Sequence, residues 1–254
     1  MYYLEDNSVD AIITDPPYLT TDLHFDKQPF NLDRLLSEAK RIVKPNGYLA
    51  CFAPVEMQAE IAKVFSIRFS GCWFKDQGNM RTRTAKKPMN QMELYCVFAH
   101  PKYKVSDLTW NKVFNKGVAY KRTKRNRGCQ REGKDQLARA NSSTWTQDGF
   151  ITINDGTRQQ TNVIKAPNKY CMVHSERTIH PTQKPLKVIE TLIKWLTNEN
   201  DVILDPFIGS GTTIIAGLKT NRKVIGVEKF RQYHDISQHR INEYLTEPKQ
   251  HNLI

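Results

Sequence analysis

Short apolar runs and helically spaced apolar stripes alternate along both ends of the chain and fade in its middle. Ala11-Ile12-Ile13 forms a continuous apolar run that reads as a buried strand. Leu32, Leu35, Leu36, Ala39 and Ile42-Val43 recur at helical spacing, and Lys44-Pro45-Asn46-Gly47 then supplies a stop signal. "YLACFA" (48–53) reads as a strand and "EMQAEIAKVFS" (56–66) as a helix. "FSGCWFK" (69–75) and "MELYCVFAH" (92–100) read as two strands paired antiparallel.

The far end repeats the alternation. Leu186, Ile189, Leu192, Ile193 and Leu196 give a helical stripe, with Pro185 in its first turn. A strand at "DVILDPF" (201–207), a small-residue turn at "IGSGTT" (208–213) and a helix at "IIAGLKTN" (214–221) follow. A strand at "RKVIGVEK" (222–229), with an acid at its end, precedes a closing helix at "RQYHDISQHRINEYL" (231–245). Strands alternating with helices predict an α/β, doubly wound sheet. No internal repeat is visible.

Between 101 and 176 the apolar periodicity weakens. From Lys112 to Arg139 there are ten basic residues against two acids, Glu132 and Asp135, with Trp110, Phe114, Tyr120 and Trp145 in or beside the run. Two readings stay open: a solvated insertion, or a DNA-contacting segment with cations for phosphates and rings for stacking. The expected organisation is therefore 1–100, an inserted basic region at 101–176, and 177–254.

Composition narrows the partners. A formal charge of +12 favours nucleic acid over other surfaces. No stretch approaches the roughly 18 apolar residues of a membrane span. "MYYLEDNSVD" has neither the basic start nor the apolar core of a signal peptide, so the expected location is the cytoplasm. The five cysteines form no C-x-x-C pair and the histidines no ligand pattern, so no metal site is expected.

Two stretches carry candidate chemistry. In "LDPFIGSGTT" a strand leads through Gly209 and Gly211 into a helix, where backbone N–H groups can hold an anionic group. Glu228 ends the next strand, where a carboxylate can accept hydrogen bonds from both hydroxyls of a ribose. Ile214 stands where a dinucleotide loop has its third glycine, and no G-K-[ST] follows, which disfavours nicotinamide and P-loop chemistry. In "AIITDPPYLTT" the carboxylate of Asp15 and the carbonyl of Pro16 offer two acceptors on a stiff turn, and Tyr18 offers a flat face. Two acceptors beside a ring suit a planar group bearing an exocyclic NH2, such as adenine or cytosine out of the duplex.

The ordered set "DPPY", "HPTQKP", "DPFIGSGTT" and "VIGVE" resembles the S-adenosylmethionine-dependent amino-methyltransferases of DNA, in the beta-group order with the catalytic motif before the cofactor loop. The resemblance implies a Rossmann-like methyltransferase sheet with permuted motif order. It makes Asp15, Pro16, Pro17 and Tyr18 the catalytic motif, and Asp205, Phe207, Gly209, Ser210, Gly211 and Thr212 the cofactor loop. It gives Glu228 to the ribose, and Thr182 and Lys184 to the methionine end of S-adenosylmethionine. It makes 101–176 the target-recognition region, with Lys121, Arg122, Lys124, Arg125, Arg127 and Arg131 against DNA. It implies double-stranded DNA as partner, in a bacterial or phage setting, and leaves open a homodimer and a cognate restriction endonuclease. An Asp before Pro-Pro-Tyr is associated in this family with adenine N6; cytosine N4 is the alternative. Family members also carry a Gly-Asp pair before the first motif, whose acid approaches the cofactor adenine, and no such pair precedes "DNSVD". The resemblance therefore leaves room for another residue in that role, and for an inactive DNA-binding protein of the same fold. RNA or protein as the methyl acceptor is a further reading that the charge leaves open.

Overall fold

The structure is a computed structural model; it describes residues 1–18, 30–75, 90–117, 120–124, 143–146, 149–154, 156–174 and 176–246. They fall into two compact units, one of 1–111 with 161–254 and one of Lys112–Gln160.

The first unit is built on a seven-stranded sheet. β1 (Val9–Thr14) leads to α1 (Leu32–Ile42), β2 (Val43–Phe52), α2 (Val55–Ala62), β3 (Ser66–Lys75) and β4 (Met92–Ala99). The second unit carries β5 (Phe114–Lys116), β6 (Tyr120–Lys124), β7 (Ser143–Thr146), β8 (Gly149–Asn154) and β9 (Thr157–Gln159). The chain returns with β10 (Val163–Ala166), α3 (Leu186–Leu196), β11 (Val202–Asp205), α4 (Thr212–Lys219), β12 (Lys223–Gly226) and α5 (Arg231–Thr246). The order is β10-β3-β4-β2-β1-β11-β12, and β4 alone runs against its neighbours.

Both faces of this sheet are covered, as the continuous apolar runs require. Successive strand residues point to opposite faces, yet Ala11, Ile12 and Ile13 are each no more than 1% exposed. Ile12, Leu49, Cys51, Phe98 and Leu204 pack with Leu36, Ala39 and Ile42 of α1 and Ile61 of α2. The intervening positions look the other way, and α3, which lies on β1, β2 and β10, buries Val188, Ile189, Leu192 and Ile193. This is the doubly wound arrangement expected from the alternation of elements. Asn31 caps α1 by accepting from the Arg34 N–H at 2.8 Å.

Three local expectations change. Lys44-Pro45-Asn46-Gly47 does not separate helix from strand: α1 passes directly into β2, and the four residues bulge, since Val9 faces Val43 while Ala11 already faces Tyr48. Pro185 is the cap before α3 and not its first turn; its extended ψ of 140° starts the helix at Leu186. Residues 101–111 and 161–176 belong with the large sheet, because β10 pairs parallel with β3 from Val163↔Cys72 to Ala166↔Lys75. Four residues are too few to show as a periodic signal in a polar region.

The second unit contains an antiparallel pair, β5 with β9, and an antiparallel three-stranded sheet, β6-β8-β7. Lys121, Arg122 and Lys124 lie on β6, which pairs with β8 in the backbone register Tyr120↔Asn154 to Lys124↔Phe150. Arg125, Arg127 and Arg131 lie outside the described residues. No described helix is long and apolar enough to cross a membrane, and no group of three or more potential metal ligands occurs among the described residues.

Candidate active site

β1 and β11 are parallel neighbours in register, Ala11↔Ile203 and Ile12↔Leu204, so the turns that leave their C-terminal ends emerge side by side. One turn carries Asp15-Pro16-Pro17-Tyr18 and the other Pro206 to Gly211. Between them lies a cavity of about 580 Å³, within the range of small-molecule and cofactor sites. The sequence pattern anticipated this convergence, since ligands of open α/β sheets bind beyond the strands' carboxyl ends.

The two turns are tied by Asp205. Its Oδ1 accepts from the Thr14 hydroxyl at 2.9 Å and the Phe207 N–H at 3.1 Å, and its Oδ2 accepts from the Thr213 hydroxyl at 2.6 Å. Burial pushes its carboxyl up to about 6, against the pull of these three donors. Asp205 therefore holds β1, the loop and α4 in one arrangement.

The loop itself is shaped by two glycines. Gly209 has φ +50° and lines the cavity; a Cβ there would meet the His180 ring at 3.0 Å. Its N–H donates to Glu228 Oε2 at 2.9 Å, while Glu228 Oε1 accepts the Phe230 N–H at 2.8 Å. Each oxygen of that carboxylate keeps capacity for another donor. Gly211 does something different from the expectation of close approach to a ligand. It has φ +81° and turns away from the cavity, and a Cβ there would lie 2.9 Å from Ser237 Cβ of α5. Arg240, also on α5, donates to the Ser210 carbonyl at 2.6 Å. The loop is thus braced from behind by a helix that carried no site signal in the sequence.

Phe207, Ser210, Thr212, Thr182 and Lys184 all line the cavity, as do Asp15, Pro16, Pro17 and Tyr18. Sequence reasoning missed the aromatic wall. Phe30 meets Phe207 edge-on at 5.3 Å, and Tyr233 meets both His180 at 4.3 Å and Phe230 at 6.2 Å. It also missed Lys75 and Glu93, at the facing ends of β3 and β4. Lys184 Nζ donates to Asp15 Oδ2 and lies 3.2 Å from Glu93 Oε2; Lys75 Nζ lies 2.6 Å from Glu93 Oε1. The Tyr18 hydroxyl donates to the other Asp15 oxygen.

Asp15, Glu93 and Lys184 do not titrate alike. Burial raises the Asp15 carboxyl above its usual range, although Lys184 opposes the shift. Burial also opposes ionisation of Glu93, but Lys184 and Lys75 together hold it below that range. Lys184, between the two acids, stays protonated in spite of its burial. Glu93 has two cations and Asp15 one, which explains the opposite directions. No signal in one sequence could have selected Lys75 or Glu93, because they meet the site only through strand pairing.

With this geometry in view, comparison with known proteins is decisive. Residues 9–239 match the family model described as DNA methylase. The chain belongs to that family. It is 29% identical over 253 residues to the type II methyltransferase M.HpaI of Haemophilus parainfluenzae, covering 94% of this chain and 70% of that protein. It spans no more than 64% of three further curated relatives. Among solved structures, an M1.HpyAVI–SAM complex matches with TM-score 0.58 at 27% identity, over 92% of this chain and 89% of the other. The PvuII cytosine-N4-specific DNA methyltransferase matches with TM-score 0.61 over 94% of this chain and 81% of its own. At 16% identity that likeness speaks for the fold.

Proposed function

We propose that this methylase transfers a methyl group from S-adenosylmethionine to the exocyclic N6 of an adenine taken out of duplex DNA. The observation that carries the reading is the shared cavity: an acceptor turn at Asp15 and a glycine loop bonded to the Glu228 carboxylate face one space, the two turns leaving adjacent strands. The cavity suits the cofactor. Glu228 retains acceptor capacity for a diol, Gly209 leaves room where a Cβ would strike His180, and Phe207, Phe230 and Tyr233 offer faces and edges for a purine. Thr182 would contact its methionine end. When bound, the cofactor supplies an electrophilic methyl group on a positively charged sulfur.

The chain's own residues prepare the acceptor. An aromatic amino nitrogen is a poor nucleophile because its lone pair is delocalised into the ring. Hydrogen bonds from its two protons to the Asp15 carboxylate and the Pro16 carbonyl favour a more tetrahedral nitrogen, and as the nitrogen gains the methyl group one of these protons passes to Asp15 and from there to water. The prolines fix where that carbonyl points, and the Tyr18 ring stacks on the base, worth about 1–3 kcal/mol. Positioning and preorganised dipoles carry most of the rate. The second unit, Lys112–Gln160, serves target recognition in this reading. Lys121, Arg122 and Lys124, with Arg125, Arg127 and Arg131 after them, are the proposed phosphate contacts.

The test is a methylation assay on unmethylated duplex DNA with S-adenosylmethionine, digested to nucleosides and analysed by mass spectrometry. N6-methyladenine is the expected product. N4-methylcytosine would move the assignment to the other amino group that fits the same acceptors. No methylated base across varied duplexes would overturn the reading. Asp15→Ala should abolish turnover while leaving cofactor affinity nearly unchanged.

A further inference from the structure

Both oxygens of Asp15 already have donors: the Tyr18 hydroxyl on Oδ1 and Lys184 Nζ on Oδ2. Each oxygen keeps a lone pair for a further donor, but a target amino group must share Asp15 Oδ2 with an ammonium, which weakens that oxygen as an acceptor unless the ammonium yields. Lys184 is the donor that can yield. Its ammonium is buried, and a buried ammonium stripped of its counter-ion is costly. A second carboxylate, Glu93, already lies 3.2 Å from Nζ. Glu93 is in turn held at 2.6 Å by Lys75, itself 5% exposed at its side chain, so its position is fixed from the far side. The four groups come from the end of β1, the segment before α3, the start of β4 and the end of β3, and their charges alternate along the chain Asp15, Lys184, Glu93, Lys75.

We propose that Glu93 is a positioning residue that takes over the Lys184 ammonium, freeing one Asp15 oxygen for the target amino group. This rests on the reading that Asp15 receives that group. Glu93 touches neither the base nor the cofactor in this scheme; it acts through Lys184. Removing its charge leaves Lys184 with Asp15 as its one acidic partner among the described residues, so the ammonium competes with the substrate. Among the described residues, the titratable groups that interact with Asp15 are Tyr18, Lys184 and Glu93, together with Cys51 of β2 and Asp205 of β11.

The test compares wild type, Glu93→Gln and Glu93→Asp in the full chain. Single-turnover methyl transfer at saturating duplex DNA, calorimetric affinity for S-adenosylmethionine, and the ¹³C titration of the Asp15 carboxyl are measured for each. The Gln variant should bind the cofactor within about twofold of wild type and transfer about 100-fold more slowly, the scale of a lost positioning contact. The Asp variant should recover at least about tenfold of that loss, since it restores the charge. The Asp15 midpoint should fall in the Gln variant, because a neighbouring negative charge is gone. Where the Gln variant does not fold, Lys75→Met/Glu93→Gln removes one buried charge of each sign and should show the same losses. Transfer by the Gln variant within about twofold of wild type would overturn the proposal. A parallel fall of cofactor affinity and rate would also overturn it, since that marks a structural role. If wild type methylates no duplex, the functional reading fails instead. The titration still decides here, and an Asp15 midpoint unmoved by Glu93→Gln would refute the coupling.

Discussion

Replacing Gly211 with alanine isolates how the Pro206–Gly211 loop is held. The residue has φ +81° and ψ 16°, and it caps α4 without a side-chain hydrogen bond. A left-handed conformation costs a non-glycine residue roughly 1–2 kcal/mol. The new methyl would also sit 2.9 Å from Ser237 Cβ and 3.2 Å from Ser237 Cα, closer than carbon atoms approach without displacement. Both contacts are on the body of α5, which cannot swing aside as a flexible side chain can. Overpacking of this kind costs about 1–3 kcal/mol. The two terms together predict a loss of about 2–5 kcal/mol, a large share of the roughly 5–15 kcal/mol that stabilises a domain. Urea unfolding of wild type, Gly211→Ala, Ser237→Gly and the double variant separates them. Ser237→Gly removes the nearest clashing atom but not the backbone cost, so the double variant should regain the packing term alone. Coupling between the positions should be favourable by about 1–3 kcal/mol. If Gly211→Ala unfolds within about 0.5 kcal/mol of wild type, or Ser237→Gly regains nothing, the brace from α5 is refuted.

Glu228→Ala should raise the dissociation constant for S-adenosylmethionine at least about tenfold by calorimetry, through lost ribose contacts and through release of the Gly209 and Phe230 N–H groups; an unchanged affinity would remove Glu228 from the site. Asp205 has a folded pKa of about 6 against an ordinary carboxyl near 3.8, so its ionisation opposes folding above pH 6 and the opposition is relieved as pH falls toward 4. Lowering pH from 7 to 5 should therefore stabilise wild type by about 1 kcal/mol relative to Asp205→Asn in urea titrations, and parallel pH dependence of the two would contradict the shift. Replacing Lys121, Arg122 and Lys124 together with alanine should lower the slope of log affinity for duplex DNA against log salt by about 3, and an unchanged slope would exclude them as phosphate contacts.

Much of the large sheet could be read from the chain because its strands are buried on both faces. Ala11-Ile12-Ile13 and Ile203-Leu204 are apolar without interruption, and that pattern has few other readings. α1 and α3 were legible for the complementary reason, a one-sided stripe. β10 was not, since Val163 and Lys165 face solvent and only Ile164 and Ala166 are buried. At the site, the motif residues stood out by type and spacing, but their supports did not. Ser237 and Arg240 lie on a helix whose exposed residues outnumber its buried ones, and they reach the loop only through tertiary packing. Lys75 and Glu93 looked like the polar ends of two strands, which is what most such residues are.

The order of motifs along the chain matters less than which strands are neighbours. Thr14 and Asp205 stand 191 residues apart in the chain, yet the sheet order puts β1 beside β11. A parallel pair in register presents both C-terminal ends at one level, so any chain that builds this pair builds the pocket. What register alone does not supply is a fixed distance between the two turns, because loops leave strand ends with freedom. Asp205 removes that freedom. It accepts from Thr14 on one strand and from Phe207 and Thr213 on the other side of the loop, at the cost of a carboxylate that burial disfavours. A neutral residue of the same shape would avoid that cost, but an asparagine carries one acceptor oxygen where three donors converge. The buried charge is therefore best understood as the joint between the turn proposed to hold the amino group and the loop proposed to hold the methyl donor.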